Sequence, residues 1–179
     1  MEGLRPGLNV LEWVLGTVFL VHIFVTYLLV LENITARGGV SRYAVHRPVG
    51  NRSWATRLMA YSGFGVFAFV LWHLLDFTFV EHEGPRSILP DGHSYGLYGI
   101  VYNAFRDPLH SVLYILAMIC VGLHLYHGVE SFMQTLGLND SSYALMIKTF
   151  SKIFSVLITL GYSSIPIYVL IDSQKFHLM

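Results

Sequence analysis

Four long stretches without a charged side chain constrain this sequence more than any other feature. Each stretch runs for 18 to 21 residues: Val14–Leu31, Leu58–Leu75, Leu109–Val129 and Ile153–Ile171. An α-helix of about 20 residues crosses the roughly 30 Å of hydrocarbon in a bilayer. Because backbone groups in lipid must be hydrogen-bonded internally, and no stretch alternates with period two, we predict transmembrane helices. With flanking turns they cover about 9–32, 54–80, 109–135 and 146–171.

The composition excludes several other classes of protein. Hydrophobic residues make up 54% of the chain and charged residues 12%, whereas a soluble domain carries roughly 25% charged residues. Eleven basic and eleven acidic residues give no net charge, so the positive surplus of a nucleic-acid-binding protein is missing and no nucleic-acid partner is expected. One cysteine cannot form an intrachain disulfide. We expect a single all-α domain over residues 1–179, an integral membrane helical bundle with four transmembrane helices.

Basic residues are distributed unevenly between the predicted loops. Seven fall on one side of the bundle: Arg37, Arg42, Arg47, Arg52, Arg57, Lys148 and Lys152. Four fall on the other side: Arg5, Arg86, Arg106 and Lys175. The positive-inside rule therefore predicts a multi-pass protein of the cell inner (cytoplasmic) membrane, with the Arg-rich loop 33–53 in the cytoplasm and both termini outside.

Four of the nine histidines lie well inside predicted spans, namely His22, His73, His124 and His127, whereas His110 lies at the very start of the third span. An ionisable residue in a membrane span is costly and is a functional hypothesis by default. The alternative is that an imidazole only hydrogen-bonds a neighbouring helix. Zinc is a weaker hypothesis than haem, because a structural zinc site usually has four clustered ligands, often including cysteine.

The depths of these histidines favour haem. His22 lies 12 residues below Val10, and His124 lies 12 residues below Val112 on a helix that descends in the same direction, so both reach a depth of roughly 18 Å. Two imidazoles at equal depth on different helices can be the two axial ligands of one haem. His73 falls in an outer layer on the order of 13 Å away.

Other residues near these histidines have two interpretations each. Gly16, Gly63, Gly65, Gly122 and Gly128 would leave room for a flat macrocycle, or would simply allow close helix packing. His127 lies one turn from His124 on nearly the same face. It could bind a haem propionate or a quinone, or replace His124 as the ligand.

Helix three and its exit carry a family resemblance. The segments Gly122–Phe132 and Gln134–Asn139 resemble the signature of the cytochrome b membrane-anchor subunit of succinate dehydrogenase/fumarate reductase, in its single-subunit form with five helices and two haems. Shorter matches are Trp54–Arg57, Tyr61–Gly63, Leu71–His73 and Arg42–Val45. The similarity extends over about residues 8–170.

The resemblance implies a ligand set. In the family, four histidines on the first four helices ligate two b haems, and the four spans here resemble the second to fifth helices. His22 and His124 match the ligands of the haem nearer the cytoplasm, and His73 matches one ligand of the outer haem. The family partner of His73 lies on a first helix that this sequence lacks. Three alternatives follow: the N-terminus is incomplete, another chain supplies the ligand, or only one haem binds. His110 lies near the outer layer and is a further candidate ligand, although the resemblance does not indicate it.

The resemblance also implies a function. The chain would anchor a flavoprotein subunit and an iron–sulfur subunit of a succinate dehydrogenase, and would pass electrons through haem b to a quinone, menaquinone in this anchor type. It would be a subunit of an enzyme complex without carrying the flavin chemistry itself. Two alternatives from other classes are a haem-free membrane scaffold and a stand-alone b-type electron-transfer cytochrome.

Polar residues at the cytoplasmic side complete the predicted cofactor site. Arg42, Arg47 or Arg57 could pair with haem propionates or with the iron–sulfur subunit, and the alternative is that they only set the topology. Arg57 is the preferred candidate because it lies at the inner end of helix two. Tyr61 and Ser62, one turn deeper, are possible hydrogen-bond partners.

The opposite side has one long connection, about 81–108. Within it, the aromatic residues of Tyr95–Phe105 predict a short interfacial helix. Asp76 lies just before this connection. Its position favours snorkelling or helix capping, while proton transfer at an outer quinone site is the functional alternative.

Overall fold

The computed structural model describes residues 5–36, 54–138 and 141–176, and their regular structure is helical. Five α-helices are present there: α1 (Arg5–Ala36), α2 (Trp54–His73), α3 (Leu97–Phe105), α4 (Pro108–Thr135) and α5 (Ser141–Phe176). All but α3 are long and apolar enough to cross a membrane. The predicted all-α fold with four membrane-spanning helices is therefore confirmed.

The chain divides into two compact units, Met1–Asn51 and Arg52–Met179. The first unit contains α1, a helix of 32 residues. Within it the Thr17 hydroxyl donates to the Trp13 carbonyl at 2.8 Å, and the Thr35 hydroxyl donates to the Leu31 carbonyl at 3.0 Å. These bonds satisfy two hydroxyl groups inside the helix, as a polar side chain among lipid requires.

In the second unit, α4 packs against α2 on one side and against α5 on the other. Small residues allow the helices to approach closely. A Cβ at Gly65 of α2 would lie 2.8 Å from the Cys120 sulfur, and a Cβ at Gly122 of α4 would overlap the Thr159 hydroxyl. Of the two interpretations of these glycines, close helix packing is the one observed at positions 65 and 122.

The buried core of the second unit lies at one end of the helices, where residues 79–107 connect α2 to α4. We call this the loop end. Its buried apolar side chains come from the π-helical segment after α2, from α3, and from α4 and α5: Phe77, Ile100, Tyr102, Phe105, Tyr114 and Val169. Asp107 caps α4 by accepting a hydrogen bond from the Leu109 backbone at 3.0 Å. The predicted short helix over Tyr95–Phe105 is observed as α3, which starts two residues later.

The helix bounds differ from prediction at one informative place. Helix two was expected to run without a break over 54–80, but α2 ends at His73 and continues as a π-helix over Leu74–Thr78. The Phe79 amide donates to the Leu74 carbonyl at 2.8 Å, which closes this wider turn. A π-helical turn contains an additional residue and often marks a functional position. Here it contains Asp76 and Phe77, both of which point into the loop end.

Candidate functional site

His124 is fixed by a hydrogen bond between α4 and α2. Its Nδ1 lies 3.1 Å from the Ser62 hydroxyl oxygen, and that hydroxyl donates to the Met59 carbonyl at 3.1 Å. The single proton of the Ser62 hydroxyl can go to one acceptor. When it goes to the Met59 carbonyl, Ser62 accepts from the Nδ1–H of His124. This tautomer places a lone pair on Nε2, which is the arrangement of a metal-ligating histidine whose other ring nitrogen donates to the protein.

The imidazole of His124 also packs against the same part of α2. A Cβ at Gly63 would lie 3.3 Å from Cε1 of His124, so the ring packs directly on the helix backbone. One turn earlier on α4, the Cys120 thiol lies 3.5 Å from the Ser62 carbonyl oxygen. A larger residue at position 63 would displace the ring. The orientation of His124 is therefore set by packing as well as by its hydrogen bond.

The other residues predicted to bind the cofactor differ from Ser62 in position and exposure. His127 lies three residues beyond His124 on α4 and is half-buried. Tyr61 is 77% exposed and so faces away from the contact between α2 and α4. Arg42 and Arg47 lie outside the described residues, as does the side chain of Arg57, whose backbone is in the first turn of α2.

The three predicted axial ligands are distributed over both units. His22 is near the middle of α1 in the first unit, so its pairing with His124 on one haem stays a prediction. His73 ends α2, and its ring centre lies 5.7 Å from that of Phe69 and 5.3 Å from that of Phe77. Eleven residues separate Ser62 from His73, or about 16 Å along the helix. His73 and His124 therefore lie in different layers of the second unit.

A second polar cluster surrounds Asp76 at the loop end. The Tyr114 hydroxyl donates to Oδ2 of Asp76 at 2.9 Å, and Nε2 of His110 lies 3.1 Å from the same oxygen. Nη2 of Arg86 lies 3.5 Å from Oδ1. The Asp76 side chain is only 16% exposed. The expectation that it snorkels or caps a helix is wrong, because the π-helix turns it inward.

Aromatic rings enclose His110 within this cluster. Its ring stacks on Tyr114 with centres 4.8 Å apart, and the Trp72 and Phe105 rings lie at 5.2 and 5.7 Å. The contact of Nε2 with Asp76 is close, but the ring N–H points outside hydrogen-bond geometry. The contact is an ion pair only when the ring is protonated. Because Nε2 faces a carboxylate, the geometry does not favour His110 as a haem ligand.

The cluster contains residues that the sequence did not single out for function, namely Trp72, Arg86 and Tyr114. Helical spacing was an available signal, because Trp72 with Asp76 and His110 with Tyr114 are both separated by four residues. The position of Arg86 depends on the fold of the connecting segment. No pattern in the sequence indicates it.

Among the described residues, no three His, Cys, Asp or Glu side chains are close enough to hold one metal ion together. A haem needs only two axial ligands from the protein, so this observation does not bear on it. Comparison with models of protein families, with curated proteins and with solved structures gives no match. Function is therefore inferred from the residues and from the resemblance that they carry.

Proposed function

We propose that this chain is the haem b-binding membrane anchor of a succinate:quinone oxidoreductase. It would hold a flavoprotein subunit and an iron–sulfur subunit at the inner membrane and relay electrons from the latter to menaquinone. The observation that carries the proposal is the hydrogen bond from Nδ1 of His124 to Ser62 across α2 and α4. It supports the proposal because it is compatible with the tautomer that an axial ligand requires, at one of the positions that the family resemblance assigns to a ligand.

The donor set of the chain fits a haem. His22 and His124 would hold the first haem and His73 would hold a second, with Arg57 and His127 as candidates for the propionates. When bound, haem b supplies a one-electron carrier within the membrane. The contribution of the protein is to fix the ligands: Ser62 keeps the proton of His124 on Nδ1, and Gly63 lets the imidazole pack against α2.

The Asp76 cluster supports a role in proton transfer to the quinone. Reduction of a quinone takes up protons, so an ionisable group is needed beside the ring. Asp76 lies three residues beyond His73, and its carboxylate contacts the ionisable side chains of His110, Tyr114 and Arg86. We propose that Asp76 receives protons at the loop end and passes them to the quinone. The positive-inside rule predicts that this end is on the outer side of the membrane.

One experiment tests the proposal against both alternatives. The full chain is tagged and purified from membranes of cells that express the flavoprotein and iron–sulfur subunits of the same complex. We expect both subunits to co-purify and a b-type absorbance band to appear on reduction with succinate. Both subunits without the band would support a haem-free scaffold. The band without the subunits would support a stand-alone cytochrome, and either result would refute the proposal.

A further inference from the structure

A small pocket at the loop end contains charges of both signs beside aromatic rings. Its volume is about 260 Å³. It is lined by the carboxylates of Asp91 and Asp172, the guanidinium of Arg106 and the rings of Tyr98 and Tyr102. These residues come from the connecting segment, from α3 and its C-terminal cap, and from the end of α5. None of them belongs to the sites of His124 or Asp76.

The two carboxylates have fixed positions. The Tyr102 hydroxyl donates to Oδ2 of Asp172 at 2.9 Å. Burial and this bond raise the pKa of Tyr102, so the hydroxyl stays protonated and remains a donor. Asp91 accepts the Tyr95 hydroxyl at 2.6 Å and the His93 amide at 3.1 Å. Both bonds lower the pKa of Asp91, which is therefore ionised near neutral pH.

Arg106 forms no direct ion pair with these carboxylates. Among the described residues, it has no carboxylate oxygen within 4.0 Å. The Asp172 carboxylate accepts the hydroxyl of Tyr102 instead. The pocket thus presents separated positive and negative groups. A ligand that complements both must itself carry an ammonium and an anionic group.

An apolar helix face leads from this pocket along α5. Tyr168 and Ile165 lie four and seven residues before Asp172, so all three share a face. They are 61% and 44% exposed. Asp172 lies within the last two turns of the spanning helix, the level at which tyrosines mark a membrane interface. The pocket is therefore at headgroup depth, with a surface for acyl chains directly along the helix.

We infer that the pocket binds the headgroup of an amine-bearing zwitterionic phospholipid such as phosphatidylethanolamine. The ammonium would lie between Asp91 and Asp172 over the Tyr98 ring, where carboxylates accept its hydrogen bonds and the ring face attracts the cation. The phosphate would face Arg106, and the acyl chains would lie along Ile165 and Tyr168. This inference concerns a site separate from the proposed electron transfer and does not depend on it.

Native mass spectrometry of the full chain in detergent tests the inference with two lipids, phosphatidylethanolamine and phosphatidylglycerol. The variant Asp172→Asn removes the charge but keeps an acceptor for Tyr102. We expect the wild type to prefer phosphatidylethanolamine, and the variant to bind it roughly tenfold more weakly, as for the loss of one charge-assisted hydrogen bond. Arg106→Gln should weaken it to a similar degree. Glu83→Gln is the matched control, since Glu83 is exposed in the same segment outside the pocket.

Three outcomes would overturn the inference. One is equal binding of the two lipids by the wild type, and another is a loss in Glu83→Gln as large as that in Asp172→Asn. The third is displacement of the lipid by free phosphoethanolamine at the concentration at which the lipid itself binds, which would assign the pocket to a soluble ligand. If Asp172→Asn fails to fold, then binding by Arg106→Gln that equals that of the wild type would also overturn it.

Discussion

Two histidines on α4 have opposite surroundings. His110 lies at the loop end among large aromatic rings, and its Nε2 contacts a mostly buried carboxylate. His124 lies in the middle of the helix against Ser62 and Gly63, the first of which engages its Nδ1. The role of a histidine inside a membrane span is therefore indicated by the side chains around its imidazole. Bulky rings with a carboxylate indicate a structural or protonic role, whereas small residues with one oriented nitrogen indicate a ligand.

The two regions also differ in what stabilises them. The loop end contains most of the buried apolar side chains of the second unit, so burial of aromatic area dominates there. The middle of the unit contains glycine contacts, which give short interhelical distances and dispersion contacts without large side chains. Substitutions that change the side-chain volume by the same amount should therefore have different effects on stability in the two regions.

The largest expected effect distinguishes the two histidines directly. His124→Ala should remove the part of the b-type absorbance band that comes from the haem held by His22 and His124, since no axial ligand remains at that position. A haem held by His73 would keep its own part of the band. His110→Phe keeps an aromatic ring and should leave the band unchanged. Reduced-minus-oxidised spectra measure both. A band that keeps its full intensity in His124→Ala and loses intensity in His110→Phe would reverse the assignment.

The next effect concerns the glycine contacts. Gly122→Ala should destabilise the chain by about 1–3 kcal/mol, because its methyl group would overlap the Thr159 hydroxyl. Gly161→Ala on α5 is the matched control, because a Cβ at that position meets no atom within 4 Å. Unfolding of both variants in mixed micelles gives the difference. Equal stabilities would show that α4 and α5 do not approach closely at Gly122.

A smaller effect is expected in the Asp76 cluster. Tyr114→Phe removes a hydrogen bond to a mostly buried carboxylate and should cost about 1 kcal/mol, since His110 and Arg86 still contact Asp76. Tyr162→Phe is the control, because Tyr162 is exposed on α5. The same unfolding assay applies. If the two substitutions cost the same, Tyr114 does not stabilise Asp76.

The smallest effect is a local pKa change in the connecting segment. The Tyr95 hydroxyl and the His93 amide lower the pKa of Asp91, so the folded turn favours the ionised carboxylate. The stabilisation is present above the ordinary aspartate pKa and is lost as pH falls through the lowered pKa. Tyr95→Phe should raise this pKa toward the ordinary value, and Tyr98→Phe should not. Carboxyl NMR titration measures it, and an unchanged pKa in Tyr95→Phe would contradict the bond.

Much of the fold could be predicted from the sequence. Apolar length identified the four spanning helices, since a bilayer sets a minimum that few soluble segments reach. The ends of α1 and α5 extend beyond the apolar stretches because helical hydrogen bonding continues into polar residues. The π-helix over Leu74–Thr78 was not predicted, because one additional residue in a helical turn does not change the hydrophobicity pattern of the sequence.

The candidate sites could be predicted only in part. Ser62 was predicted as a hydrogen-bond partner at the cofactor site, and this stays a prediction. Its hydrogen bond to His124 was not predicted. Asp76 was assigned to the interface because sequence depth does not reveal which way a side chain turns. The contact of Arg86 with Asp76 arises from the path of the connecting segment. The spacing of Asp76 and Arg86 in the sequence gives no periodic pattern from which their contact could be predicted.

Haem content per chain tests the central claim most directly. The full chain, expressed with an adequate haem supply and purified in mild detergent, is assayed for protohaem by its pyridine complex and for total protein. We expect at least one non-covalent haem b per chain, with a low-spin spectrum typical of two histidine ligands. A folded, helical preparation that contains no haem would contradict the assignment of His124 as a ligand.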